Sequence, residues 1–266
     1  MGSIQSQQQV LFREVRAAWD EADELRSSPE TPLGSEESDA MCARVSKRLT
    51  SFGVPFCINP SLARSATCEG CRTVSLCGFE RDTVAVARFG ACAAHLFGYK
   101  HPFTLVLALA LEPKVLAFDR PLTRREVNSG VTIFDEREIL VFRDDGDFFK
   151  TLLHECIHLM CLAKDEALTE FGAILIHCMT KTQTFSEYEA LLKEQQKRSS
   201  VLSDAVRQAD VGETNETAYA VKAGAMLREP ELVLATGHTL PRLPVRPKRD
   251  RRGAPAVPFT VVSHED

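Results

Sequence analysis

No apolar run in this chain is long enough to cross a bilayer. The longest, residues 103–111, is about half of what a spanning helix requires, and Glu112, Pro113 and Lys114 close it. A large charge of either sign is also missing: 32 basic and 37 acidic side chains leave a formal charge of -5, which gives no general attraction to nucleic acid or anionic lipid. There is no internal repeat, and the first residues lack the basic and then apolar pattern of a secretory signal. The expected setting is therefore intracellular, cytoplasmic or nuclear. Nine cysteines, odd in number and irregularly spaced over 266 residues, do not make a small secreted disulfide scaffold. What is present, 44% hydrophobic and 26% charged residues, is a globular composition with room for one well-cored domain and its appendages.

Four regions follow from the pattern. Residues 1–26 contain an amphipathic helix, with Val10, Leu11, Val15, Ala18, Trp19, Ala22 and Leu25 at three- and four-residue intervals. Residues 27–39, rich in Ser, Pro and Glu with almost nothing to bury, are expected to form a flexible acidic linker. The main body spans 40–237, and 238–266 form a Pro/Arg-rich tail expected to be disordered. Within the body, strands are predicted over 103–111, 115–118 and 138–143, with a turn at Asn128-Ser129-Gly130. Helices are predicted from Phe148, where an Asp among residues 144–147 can cap, and then over 166–179, 185–197 and 214–227.

The chemistry lies on the helix that opens at Phe148. His154-Glu155-Cys156-Ile157-His158 fits H-E-x-x-H. On an α-helix, positions i and i+4 are about 40° apart in projection, so both imidazoles can meet one Zn²⁺. Glu155 projects about 100° from His154, where it can act on a water instead of ligating. The surrounding residues, Leu152-Leu153 and Leu159-Met160-Cys161-Leu162-Ala163, are apolar on every face. A helix of that kind belongs in a core, where an unpartnered carboxylate would cost several kcal/mol. A metal with its water relieves the burial of all three polar side chains together.

A third protein ligand is expected downstream, and Glu166, Glu170 and His177 all fall on one stripe of the next helix. Glu170 is favoured because the small Gly172 and Ala173 would let the two helices lie close. Glu166, in the first turn, has the simpler role of complementing the helix dipole, with contact to a ligand histidine as an alternative.

The motif His154-Glu155-x-x-His158 followed by Glu170-x-x-Ala173 resembles the gluzincin branch of the zinc metallopeptidases. The wider block of Asn128-Ser129-Gly130, residues 139–143, Lys150 and the motif helix is similar to zincin-like proteins of protists and large DNA viruses. The resemblance implies an α+β, zincin-like fold: a small sheet with an edge strand, packed on the H-E-x-x-H helix, with further helices after it. It implies His154, His158 and Glu170 as zinc ligands, Glu155 as general base, and a peptide or protein substrate. The strand over 138–143, just before the helix, is the one expected to pair with substrate backbone. A donor for the developing oxyanion is expected from Tyr219 or His238. The competing readings are a non-catalytic zincin-like scaffold and a zinc hydrolase of another amide.

Weaker signals remain. Cys68-Glu69-Gly70-Cys71, with Cys57 and Cys77 nearby, has one C-x₂-C knuckle of a structural zinc site but lacks the second. Cys156, Cys161 and Cys178 are most simply small packing residues. Cys92 and His95 could pair on a helix, with packing as the simpler account. Met1-Gly2-Ser3-Ile4-Gln5-Ser6 fits the myristoyl-acceptor pattern, and an acylated and an unmodified Gly2 are equally open. One such chain would be a weak, reversible membrane tether. The basic stretch 242–252 is expected to be solvated, with nucleic-acid contact or support of that tether as lesser alternatives.

Overall fold

The computed structural model describes residues 2–76, 82–111, 128–143, 148–161, 165–208 and 215–235. Its strands are β1 (Thr31–Pro32), β2 (Phe56–Cys57), β3 (Arg64–Cys68), β4 (Cys71–Leu76), β5 (Phe103–Ala110), β6 (Gly130–Ile133) and β7 (Glu138–Val141). Its helices are α1 (Gly2–Asp23), α2 (Ser35–Ser51), α3 (Thr83–Leu96), α4 (Phe148–Cys161), α5 (Glu166–Lys181), α6 (Phe185–Gln208), α7 (Asn215–Arg228) and α8 (Pro230–Ala235). The chain is an α+β protein built on one mixed sheet.

The strand order is β1-β3-β4-β5-β7-β6, with β2 added antiparallel at the end of β5. The central pairs β4·β5 and β5·β7 are parallel, and the outer pairs β1·β3, β3·β4 and β6·β7 are antiparallel. From Leu105 to Ala110 strand β5 reads as an apolar run because both of its faces are covered. Leu105 and Leu107 enter a core shared with α1, α3, α4, α5 and α6, while Val106, Ala108 and Ala110 enter a second core closed by Met41, Val45 and Leu49 of α2. Strand β7 divides in the same way, with Ile139 and Val141 on the first face and Leu140 on the second.

Three expectations need correction. Residues 27–39 are not a loose linker. Ser28 N–H donates to Thr67 O at 2.7 Å, Thr31 and Pro32 pair with Ser65 and Arg64, and α2 begins at Ser35. The segment has little to bury, but its backbone hydrogen bonds attach it to the open side of β3, a stabilisation that hydropathy does not report. The first helix, in turn, belongs to the main body. Phe12, Val15 and Ala22 are buried, Phe12 lies 5.7 Å from the rings of Phe185 and Tyr188, and Arg16 donates to Thr180 O at 2.8 Å. Finally, β7 is not the edge strand. It is flanked by β5 and β6, and among the described residues the edge is β6, four residues that begin at the glycine expected to sit in a turn.

The expected strand at 115–118, the capping Asp among 144–147 and the tail 238–266 lie outside the described residues. Among the described residues, no helix is long and apolar enough to cross a membrane.

Candidate metal centre

Helix α4 runs behind the sheet with Leu152, Leu153, Cys156, Ile157 and Leu159 buried, and this burial aims the opposite positions of the same turns at α5. His154 and His158 stack one turn apart, ring centroids 4.8 Å from each other. Asp165 caps α5 by accepting from Leu168 N–H at 3.0 Å, so Glu166 falls in the first turn of α5, opposite the two rings.

Three donor atoms converge there. His154 Nε2 and His158 Nε2 are 3.0 Å apart, and Glu166 Oε2 is 3.2 Å from each. A tetrahedral ion with ligands at about 2.0–2.1 Å needs ligand atoms separated by about 3.3 Å, so the triangle is the right size to hold one. Among the described residues this is the only such group of His, Cys, Asp or Glu side chains. The Glu166 side chain is 56% exposed against 13% and 10% for the histidines, so the cluster opens to solvent on the Glu166 side.

Glu166, not Glu170, supplies the third atom. Glu170 lies one helical turn further along α5 and meets His154 on its other nitrogen: Nδ1–H donates to Glu170 Oε2 at 2.9 Å, while Glu170 Oε1 pairs with Lys150 Nζ at 2.6 Å. The two nitrogens lie on opposite edges of the imidazole, so a carboxylate engaged at Nδ1 is turned away from the Nε2 point. Glu170 thus fixes the tautomer and orientation of His154, and Lys150 balances its charge. His177, the remaining alternative, is buried on α5 and is not among the clustered atoms.

The electrostatics follow this geometry. Burial opposes a charge on His154, yet the carboxylates of Glu166 and Glu170 override it and raise the metal-free ring to about 9. Hydrogen bonds from His154 and His158 hold Glu166 well below the usual carboxylate range. Burial would raise Glu170, but Lys150 and His154 pull it far down. Two anionic carboxylates therefore face two imidazoles, a donor set matched to a divalent cation.

Glu155 stands outside that set and is 8% exposed. Its carboxylate is held by the edge strand, where the Thr132 hydroxyl lies 2.8 Å from Oε2 and 3.0 Å from the Glu155 carbonyl oxygen. A Cβ on Gly130 would come within 3.0 Å of Glu155 Cγ. Both residues turn the same face of β6 toward α4. Their backbone faces outward: Phe142 N–H bonds to Ser129 O at 2.9 Å and the ladder runs Gly130↔Val141, Thr132↔Ile139. Bonded pairs alternate in an antiparallel ladder, so Val131 and Ile133 bond to β7, while Gly130 and Thr132 turn their N–H and C=O to the outer side of β6, where no strand among the described residues pairs with them.

Tyr219 falls on α7, but its side chain lies outside the described residues, as does His238. Cys68 and Cys71 face each other across the β3–β4 turn and are completely buried, while Cys57 is exposed on β2. Cys77 lies outside the described residues. Cys156 and Cys178 are buried and Cys161 half-buried, and burial raises all three thiols, Cys161 and Cys178 to about 12. Cys92 and His95 share α3, where Cys92 is buried and its thiol is raised to about 12, mainly by burial.

Nothing in the sequence pattern marks Thr132, and Gly130 is legible there only as a turn glycine. Comparison with known proteins finds no matching family model, no matching curated protein and no matching solved structure.

Proposed function

We propose that this chain is a zinc-dependent metallopeptidase of zincin type, with His154, His158 and Glu166 as ligands and Glu155 as general base. The observation that carries the reading is the separation of roles in one small site: three donors meet at a point open to solvent, and a fourth acidic side chain stands apart from them. A site that only stored or stabilised a metal would have no use for that fourth group. The backbone edge at Gly130 and Thr132, which no strand among the described residues pairs with, favours an extended peptide as substrate, because a peptide strand can pair with it on the strand that holds Glu155.

A zinc ion held there would supply Lewis acidity, bringing the pKa of a water toward 7 and polarising a carbonyl. Glu155 takes the proton of the attacking water on a carboxylate oxygen and returns it to the leaving amine. Glu170 and Lys150 hold His154 in the tautomer that keeps Nε2 free to ligate. Glu166 is the ligand on the solvent side, where substrate would enter.

The test is hydrolysis of an unstructured polypeptide by zinc-loaded protein, read by mass spectrometry, with and without chelator. The expected result is chelator-sensitive cleavage that Glu155→Gln reduces by about 10²–10⁴-fold while zinc remains bound at one ion per chain. Retained hydrolysis in that variant would sink the mechanism. Zinc binding without cleavage by the unmodified protein would point instead to a non-catalytic scaffold of the same type.

A further inference from the structure

We infer that Thr132 is a positioning residue for Glu155, and that Gly130 leaves the space this side chain occupies, so the open edge of β6 aims the general base. The inference rests on the peptidase reading above and deepens it. Glu155 is 8% exposed, and a carboxylate so placed needs a donor to keep one orientation. The Thr132 hydroxyl is within hydrogen-bond reach of both Oε2 and the Glu155 carbonyl oxygen, at 2.8 and 3.0 Å; its single proton goes to the nearer, carboxylate oxygen or is shared between the two, and either way the strand holds Glu155. Gly130 contributes by absence. An added Cβ would lie 3.0 Å from Glu155 Cγ and 3.3 Å from Oε1, closer than an ordinary contact, and the carboxylate would have to move.

The same two residues direct their backbone N–H and C=O groups away from β7, to the side of β6 that no strand among the described residues pairs with. A peptide strand added there would bond to Gly130 and Thr132 and to neither of their neighbours. Substrate pairing and the aim of the base thus share two residues on one short strand. Ordering of β6 by a bound peptide then also restrains the Thr132 side chain, so Thr132 acts on the chemical step and little on binding.

The test uses full-length zinc-loaded protein carrying Thr132→Val, Thr132→Ser or Gly130→Ala. Loss of a hydrogen bond to a charged group corresponds to about tenfold or more. Thr132→Val is expected to lower kcat by about that factor with KM within about twofold, and with zinc still at one per chain. Thr132→Ser, which restores the hydroxyl, returns kcat to within about threefold of the parent. Gly130→Ala lowers kcat without loss of zinc.

A readout independent of turnover is a double-mutant cycle of Thr132→Val with Glu155→Leu on unfolding of the metal-free protein. Non-additivity of about tenfold in the unfolding constant is expected. An active parent with an indifferent Thr132→Val variant, a loss not rescued by Ser, or an additive cycle would each overturn the assignment and leave the peptidase reading standing. A parent that binds zinc and cleaves nothing would overturn the peptidase reading and with it the role of Glu155 as a base that Thr132 positions, whatever the cycle reports on their contact.

Discussion

Two pairs of side chains of metal-ligating type lie a short step apart in this sequence, His154 with His158 and Cys68 with Cys71, and each pair is brought together in space. They end differently. The histidines meet across one helical turn, with Glu166 at their exposed edge and Glu170 behind. The cysteines meet across a two-residue turn in which Glu69 (φ 32°) and Gly70 (φ 84°) both take left-handed backbone, and both point into the apolar core. Cys71 Sγ sits against α3, where a Cβ on Gly90 would be only 2.5 Å away. Burial pushes its thiol far up, which disfavours the thiolate that a metal needs. Ligand spacing alone therefore does not gather further donors: among the described residues only the histidine pair has carboxylates beside it and an exposed side.

The sharpest way to break this contrast is to exchange the roles of the two glutamates. Glu170→Gln should weaken zinc binding by about 10–100-fold, as expected for a group that orients a ligand, and Glu166→Ala should weaken it by more. Competition with a chromophoric chelator would measure both, and the reverse order would return Glu170 to the ligand set.

The next effect is that of pH. His154 rises from an ordinary value of about 6.5 to about 9 in the metal-free fold. Its ion pairs therefore stabilise the metal-free protein fully below about pH 6.5, and that contribution is lost as pH rises through about 9. Zinc requires the neutral ring, so its affinity should move the opposite way, rising by about tenfold per pH unit across that window. A flat profile would mean that the carboxylates do not hold a proton on His154.

The smallest effects belong to the cysteines. Cys68→Ser with Cys71→Ser should leave zinc at one per chain by elemental analysis. Gly90→Ala should destabilise by about 1–3 kcal/mol in denaturant through overpacking against Cys71 and Leu105. A second zinc lost with the cysteines would dissolve the contrast.

The helices after residue 148 were legible because their apolar stripes recur with helical period and their starts carry recognisable signals. Helix α5 begins at Glu166 as its pattern suggests, and α6 only extends further than its pattern. Other elements gave no such signal. In α3 the residues Ala87, Ala91, Ala93, Ala94 and Leu96 are buried on several faces of one helix, so no polar stripe defines a period. In α2 the apolar residues are few, and part of its attachment is ionic: Arg44 and Arg48 pair with Glu138 at 2.6 and 2.9 Å, and Glu138 is almost fully buried. Strand β6 is only four residues long and is held by its ladder to β7.

By itself the sequence determined the local chemistry. The spacing of His154 and His158 puts two imidazoles on one helix face, and the apolar residues around them put that helix in a core. Only the tertiary structure brings Glu166 to the Nε2 atoms of both histidines and Glu170 to Nδ1 of His154, because both carboxylates lie on one stripe of α5 and no local spacing says which nitrogen each meets. Tertiary structure also decided that, among the described residues, the edge is β6 and that Thr132 lies on Glu155. Strand order and the contacts between residues distant in sequence are set by how layers pack, which no local spacing encodes.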